Sequence, residues 1–153
     1  MLATARELMP IVRAALERGQ QVRLTVTGGS MRPFMHKGAV VELEPLTSPP
    51  EPGDVLLVQC GAGSERYVLH RLVRVKGGQL FIRGDGQRYC EGPFEQGDVL
   101  GRVAKVHSNG RVRRFDAGLW HLAGRAWHVC VPLSVWLLHL TVRVRAARKT
   151  ESA

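Results

Sequence analysis

The chain has 153 residues, of which 44% are hydrophobic and 23% are charged. This length and balance suit one ordinary domain with a real core, and they exclude a disordered chain and an integral protein with several membrane spans. Residues 1–100 hold 12 lysines and arginines against 11 acids, whereas residues 101–153 hold 10 against 2. Most of the net charge of +9 therefore lies in the last third of the chain, which is the part that phosphate groups would attract.

The first predicted element is a short amphipathic helix that ends at Gly19, a residue suited to a left-handed C-cap. Thr4 and Glu7 fit a capping box and place the helix start at Thr4, whereas Pro10 favours a start near itself. The apolar residues that recur at helical spacing are Leu8, Ile11, Val12, Ala15 and Leu16.

After Gly19 the hydrophobic period changes to 2, which predicts strands. Val22, Leu24 and Val26 alternate with polar residues, and six further strands are predicted at 40–44, 55–60, 66–75, 79–83, 99–107 and 111–115. Turns rich in glycine and proline separate them. Seven short strands predict a mainly β fold, built as a small antiparallel barrel or as paired sheets.

The last part of the chain predicts an apolar helix. Residues 126–142 lack Asp, Glu, Lys and Arg and are bracketed by Arg125 and Arg143. The alternatives are packing on the domain or on a second subunit, contact with a membrane surface, and a full span. We therefore divide the chain into a catalytic domain at 1–116, which includes the N-terminal helix, and a basic helical segment at 117–153.

No metal or organic cofactor is expected. The three cysteines are odd in number and widely spaced, which is typical of free thiols rather than of a disulfide framework or a zinc site. His121, His128 and His139 share one helical face, but the first two lie roughly 10 Å apart, so they indicate a polar stripe. The N-terminal residues show no export signal, which predicts a cytoplasmic protein, peripheral at the inner membrane face.

One serine has the surroundings of a nucleophile. Ser30 follows Gly28 and Gly29 at the end of a predicted strand and precedes Pro33, which permits a first helical turn. Its hydroxyl has little steric cover, and nearby backbone N–H groups point outward to stabilise an oxyanion. The alternative is an ordinary Gly-Gly-Ser turn.

A serine nucleophile needs a base, and His70 is the first candidate. It lies inside an otherwise apolar strand, and an imidazole suits proton transfer near neutral pH. Asp85, in a glycine turn, is the natural third member because a carboxylate orients the imidazole. The alternatives are a core histidine bonded to a carbonyl and a turn aspartate. The other candidate bases are Lys37, Lys76, Lys105 and Lys149.

Six short motifs follow one another over residues 21–106. They are Gly-x-Ser-Met-x-Pro at 28–33, a glycine-initiated strand at 38–44, Pro-Gly-Asp at 52–54, His-Arg at 70–71, Gly-Asp at 84–85 and Leu-Gly-Arg-Val at 100–103. In this order they resemble the signal peptidase I superfamily, which includes the LexA-type repressors. His70 stands where the bacterial leader peptidases and the repressors have lysine, so the chain is more similar to the endoplasmic-reticulum and archaeal type.

The resemblance implies a role for each residue. Ser30 would be the nucleophile, with its own amide in the oxyanion hole, His70 the general base and Asp85 the orienting acid. Related members often carry a second aspartate shortly after the Gly-Asp turn, and the nearest acid here is Glu91, so the role of Asp85 would be weakened or shared with Glu91. The substrate would add as a β-strand along a groove formed by Gly28, Gly29, Met31 and Pro33.

The predicted function is a serine endopeptidase that cleaves a peptide or leader segment, with a specific precursor as substrate and with the C-terminal segment as a contact to the membrane surface. One alternative is a DNA-associated regulator, disfavoured because no helix-turn-helix fits before the first strand and because His70 replaces a lysine. Another is a silent peptide-binding module. A distance of about 4 Å or less between Ser30 Oγ and a His70 ring nitrogen distinguishes the peptidase from the silent module.

Overall fold

The computed structural model describes residues 5–116, 118–128 and 130, and it is mainly β, as predicted. Helix α1 covers Ala5–Glu17, and a second helix, α2, covers 119–128. A three-residue 3-10 turn occupies Gln96–Asp98. The strands are β1 Val22–Thr25, β2 Val40–Glu44, β3 Val55–Gln59, β4 Tyr67–Lys76, β5 Gln79–Arg83, β6 Glu91–Phe94, β7 Val99–Ser108 and β8 Arg111–Arg114.

All eight strands belong to one antiparallel sheet. Its order is β1-β2-β7-β3-β4-β5-β6, and β8 pairs with β7 beside this path. The end strands β1 and β6 do not pair with each other, so the sheet is not closed into a barrel. Of the two predicted architectures, the closed barrel is therefore wrong.

Glycines end α1 and form the tight hairpins where a positive φ is required. Gly19 has φ +79° and donates its N–H to Leu16 O at 2.9 Å, which ends α1 as predicted. Asn109 and Gly110 have φ of 51° and 71° in the turn between β7 and β8. The helix begins at Ala5, with Pro10 inside it, and not near Pro10.

Two hydrophobic clusters lie on opposite faces of the sheet, and β3 contributes to both. Val55 and Leu57 belong to the first cluster, which also includes Met9, Val12 and Leu16 of α1. Leu56 and Val58 belong to the second cluster with Leu72, Leu80 and Ile82. Because β3 is buried on both faces, its sequence is continuously apolar rather than alternating.

The sequence predictions for 117–153 fall partly outside the described residues. Helix α2 includes the start of the apolar run 126–142, but most of that run and His139 lie outside, and the boundary drawn at 117 stays a prediction. Within 5–116, 118–128 and 130, no helix is long and apolar enough to cross a membrane. The same residues contain no group of three or more acids, histidines and cysteines placed to hold a metal ion.

Candidate active site

The fold brings Ser30 and His70 into direct contact, although 40 residues separate them. Ser30 lies in the turn that follows β1, and His70 lies in β4 opposite Leu56 of β3. His70 Nε2 is 3.1 Å from Ser30 Oγ. This distance is within hydrogen-bond reach and below the distance of about 4 Å expected of a Ser–His dyad.

An apolar cleft of about 270 Å³ opens beside this pair. Gly28, Ser30, Met31 and His70 form the reactive end of its lining. The rest of the lining comes from α1, β1, β2, β3 and β4 and is mostly apolar, with Met9, Leu24, Val26, Val41, Leu57, Tyr67 and Leu69. A cleft with one polar end and apolar walls suits an uncharged stretch of peptide.

Two unpaired strand edges flank the cleft. β1 pairs only with β2 among the described residues, so its other edge is free. Residues 67–70 of β4 pair with β3 on one side, whereas β5 pairs with β4 only from Arg71 onward. Free edges expose backbone N–H and C=O groups, and an extended peptide between them would complete the hydrogen bonding of both strands.

Glu91, rather than Asp85, lies beside the second ring nitrogen of His70. Glu91 Oε1 is 3.2 Å from His70 Nδ1, and both atoms are buried. Their angular geometry is not that of a formed hydrogen bond, and neither atom has another hydrogen-bond partner among the described residues. Arg66 Nη2 holds the other oxygen, Glu91 Oε2, at 2.7 Å. A slight rotation of either side chain would complete a chain of hydrogen bonds from Ser30 through His70 to Glu91.

Asp85 does not contact His70, so its predicted place as the orienting acid is wrong in this geometry. Its two carboxylate oxygens accept hydrogen bonds from Arg71 Nε and Nη2, both at 2.8 Å, and the pair is completely buried. Arg71 also donates to the Gly53 carbonyl at 2.7 Å. Asp85 therefore neutralises the buried arginine that follows His70 in β4.

The turn around Asp85 supports the backbone of Ser30. Gly86 N–H donates to the Ser30 carbonyl at 2.8 Å. A Cβ at Gly84 would lie 2.7 Å from the same Ser30 oxygen, so only glycine fits there. Ser30 N–H makes no backbone hydrogen bond among the described residues, which leaves it free to donate to an oxyanion.

The charge state of His70 is set first by burial. Burial lowers the pKa of His70 below its ordinary value of 6.5, the negative charge of Glu91 raises it, and the positive charge of Arg66 lowers it. The net shift is downward. The imidazole is therefore neutral, and able to accept a proton, down to a lower pH than a free histidine.

The remaining predicted residues divide into those at the cleft and those away from it. Gly28 and Met31 line the cleft, whereas Gly29 and Pro33 are exposed and are not part of its lining, so their place in a substrate groove stays a prediction. Residues 30–34 form turns rather than the expected first helical turn. Lys37 and Lys76 are exposed, Lys105 pairs with Glu42 at 3.2 Å, and Lys149 lies outside the described residues.

No family model matches the chain, and no curated protein matches it. The contacts of Ser30, His70 and Glu91 are therefore the basis for assigning a function. The sequence singled out Ser30 and His70 as a pair and gave Glu91 only a share in the role of Asp85. The structural feature that brings Glu91 near His70 is the strand β6, which begins at Glu91 and pairs it with Ile82 of β5.

Proposed function

We propose that the protein is a serine endopeptidase that cleaves an extended peptide, with Ser30 as nucleophile, His70 as general base and Glu91 as the acid that orients His70. The observation that carries this proposal is the distance of 3.1 Å between Ser30 Oγ and His70 Nε2 at the mouth of the apolar cleft. The free edges of β1 and β4 supply the means of holding the substrate.

The proposed reaction needs only protein groups and water. Ser30 Oγ attacks the peptide carbonyl carbon while its proton moves to His70 Nε2, and the Ser30 N–H stabilises the oxyanion. The C–N bond then breaks as His70 returns that proton to the leaving amine. Water next attacks the acyl-enzyme ester, His70 takes a proton from the water, and the ester C–O bond breaks as this proton returns to Ser30.

The nature of the substrate follows from the cleft. The residues that line it include no Asp, Glu, Lys or Arg, so residues beside the cut are uncharged and mostly apolar. The free strand edges select extended segments such as a leader or a linker. We infer a specific precursor protein as the natural substrate, and a peptide that contains its cut site as the simplest test molecule.

Three basic residues of β7 and β8 are already paired with acids, which supports peptide over DNA as the partner. Arg102 pairs with Glu44 and Asp54, Lys105 with Glu42, and Arg114 with Asp116. Phosphate contacts need basic side chains that are available to the backbone of the nucleic acid. No binding to random duplex DNA at physiological salt is the result expected for this surface, and salt-dependent binding with a strong sequence preference would favour the DNA-associated regulator instead.

Contact with the inner face of a membrane is a further part of the proposal. Leu119 and Leu122 of α2 are 76% and 60% exposed, and Arg125 follows on the same short helix. Exposed leucines beside an arginine are typical of helices that lie at an anionic lipid surface. Sedimentation with anionic vesicles is expected to weaken when both leucines are changed to serine.

A peptide library tests the proposed activity. The purified protein is expected to cut a subset of unbiased peptides at uncharged sites, with new termini read by mass spectrometry. The Ser30→Ala protein is the blank, and Ser108→Ala, which alters a serine in the β7–β8 hairpin, is the matched control that should cut as the unmodified protein does. Cleavage that persists in the Ser30→Ala protein would refute the assignment.

The pH dependence provides a second test. We expect kcat/KM to rise with pH through an apparent pKa below 6.5, because burial favours the neutral, proton-accepting form of His70. Arg66→Gln should move this limb to higher pH, since it removes a positive charge that lowers the pKa of His70. Glu91→Gln should move it to lower pH. Shifts in the opposite directions would rule out His70 as the titrating base.

A further inference from the structure

Helix α2 presents one face to the site, although it lies outside the part of the chain in which the motifs occur. Trp127 lies on this inner face about one turn after Gly124, and His128 lies there about two turns after His121. A Cβ at Gly124 would collide with the buried Arg71 guanidinium, so only glycine at this position lets the helix lie this close to Arg71. Leu122, on the other face, is 60% exposed.

Trp127 and His128, at the C-terminal end of this inner face, form hydrogen bonds with Asp85. Trp127 Nε1 donates to the Asp85 carbonyl at 2.7 Å, and His128 Nε2 is 3.0 Å from Asp85 Oδ1. Arg83 Nε donates to His128 Nδ1 at 2.9 Å. Because Nδ1 accepts from Arg83, the His128 proton is on Nε2 and points to the Asp85 carboxylate.

The turn that contains Asp85 also holds the backbone of Ser30 in place. Gly86 N–H holds the Ser30 carbonyl at 2.8 Å, and Gly84 packs directly against the same oxygen. Ser30 has no regular secondary structure to fix it, since it lies in a turn. The position of the Ser30 backbone therefore depends on the Asp85 turn, which α2 contacts through Trp127 and His128.

A second contact reaches the other end of the nucleophile turn. Phe34, four residues after Ser30, is buried and meets the Trp127 ring edge-on with the centroids 5.7 Å apart. It meets Trp120 in the same way at 6.3 Å. Trp127 thus contacts both supports of the turn, the Asp85 carbonyl through its N–H and Phe34 through its ring.

We propose that α2 is part of the catalytic apparatus, and that Trp127 and His128 are positioning residues that hold Ser30 at the distance from His70 that proton transfer requires. This inference rests on the proposed peptidase function. A nucleophile displaced by about 1 Å loses on the order of 10²-fold in rate while the substrate still binds. The helix therefore controls turnover without touching the peptide.

Trp127→Phe is the decisive variant, because it removes the N–H donor to Asp85 and keeps a ring against Phe34. With the best library peptide we expect kcat to fall about 10- to 100-fold and KM to stay within about twofold. His128→Ala should show the same separation. Ala126→Ser, which alters an exposed residue of the same helix, is the matched control and should leave both constants unchanged.

A readout that needs no activity keeps this inference separate from the function. Hydrogen exchange at the Gly86 amide, which bonds to the Ser30 carbonyl, is expected to quicken about tenfold in Trp127→Phe and not in Ala126→Ser. Unchanged exchange and unchanged kcat would overturn the positioning role. If the unmodified protein cuts no peptide, the proposed function fails, and the exchange experiment still decides whether α2 holds the Ser30 turn.

Discussion

A His70→Ala protein is expected to lose peptide cleavage by about 10⁴- to 10⁶-fold in kcat while keeping its fold. The loss is large because Ser30 is a weak nucleophile without the base that lies 3.1 Å from its hydroxyl. Ser30→Ala should lose as much, and the double variant no more, since the two side chains act as one unit. The measurement is kcat on the best library peptide, together with thermal unfolding.

Glu91→Gln and Arg66→Gln separate orientation from proton transfer in the same assay. Glu91 is 3.2 Å from His70 Nδ1, so the amide should lower kcat by about 10²- to 10⁴-fold, less than loss of His70 itself. The Arg66 side chain pairs with Glu91 and is 60% exposed, so its removal should cost far less. A Glu91→Gln protein with full kcat would remove Glu91 from the mechanism and leave a Ser–His dyad.

The strands that were predictable are those with a clear period or clean turns. β2 and β5 match their predicted bounds, and Asn109-Gly110 marks the hairpin between β7 and β8. β6 was not predicted because Gly92 and Pro93 fill its middle, and both residues are poor strand formers. It is a short strand at the end of the sheet, held by pairing with β5 rather than by its own propensity.

The error at Asp85 has the same origin. Sequence places Asp85 two residues after β5 and Glu91 eight residues after it, and nothing local shows which carboxylate returns to His70. The β5–β6 pairing turns the chain back and places Glu91 opposite Ile82, near His70. Asp85 is instead captured by Arg71, the neighbour of His70 in β4. Only the three-dimensional pairing of strands decides between the two acids.

The sequence of helix α2 carries a spacing of tryptophans and histidines that indicates a contact face of the helix. The spacing of seven between Trp120 and Trp127, and between His121 and His128, places all four on one side of a helix. The histidines were interpreted as a polar stripe, which gave no reason to connect them with the catalytic motifs. In the structure His121 lies 3.4 Å from Asp54 and His128 3.0 Å from Asp85, so each faces the aspartate of a predicted turn motif.

Asp85→Asn is expected to destabilise the fold by about 3–5 kcal/mol and to reduce activity chiefly through unfolding. The Arg71–Asp85 pair is completely buried and joined by two hydrogen bonds of 2.8 Å. Removing the negative partner leaves the Arg71 charge in the interior without compensation, a far larger cost than the pair itself contributes. Urea unfolding of the purified variant measures the loss.

The matched control is Asp116→Asn, which removes an acid paired with an arginine that is 67% exposed. Water replaces the lost partner there, so the urea midpoint should hardly move. In the folded Asp85→Asn protein the acidic limb of kcat/KM should shift only slightly downward, because Asp85 has a minor effect on the pKa of His70. Equal midpoints for the two variants would show that Asp85 does not anchor the interior, and a selective loss of kcat at full stability would return it to the catalytic line.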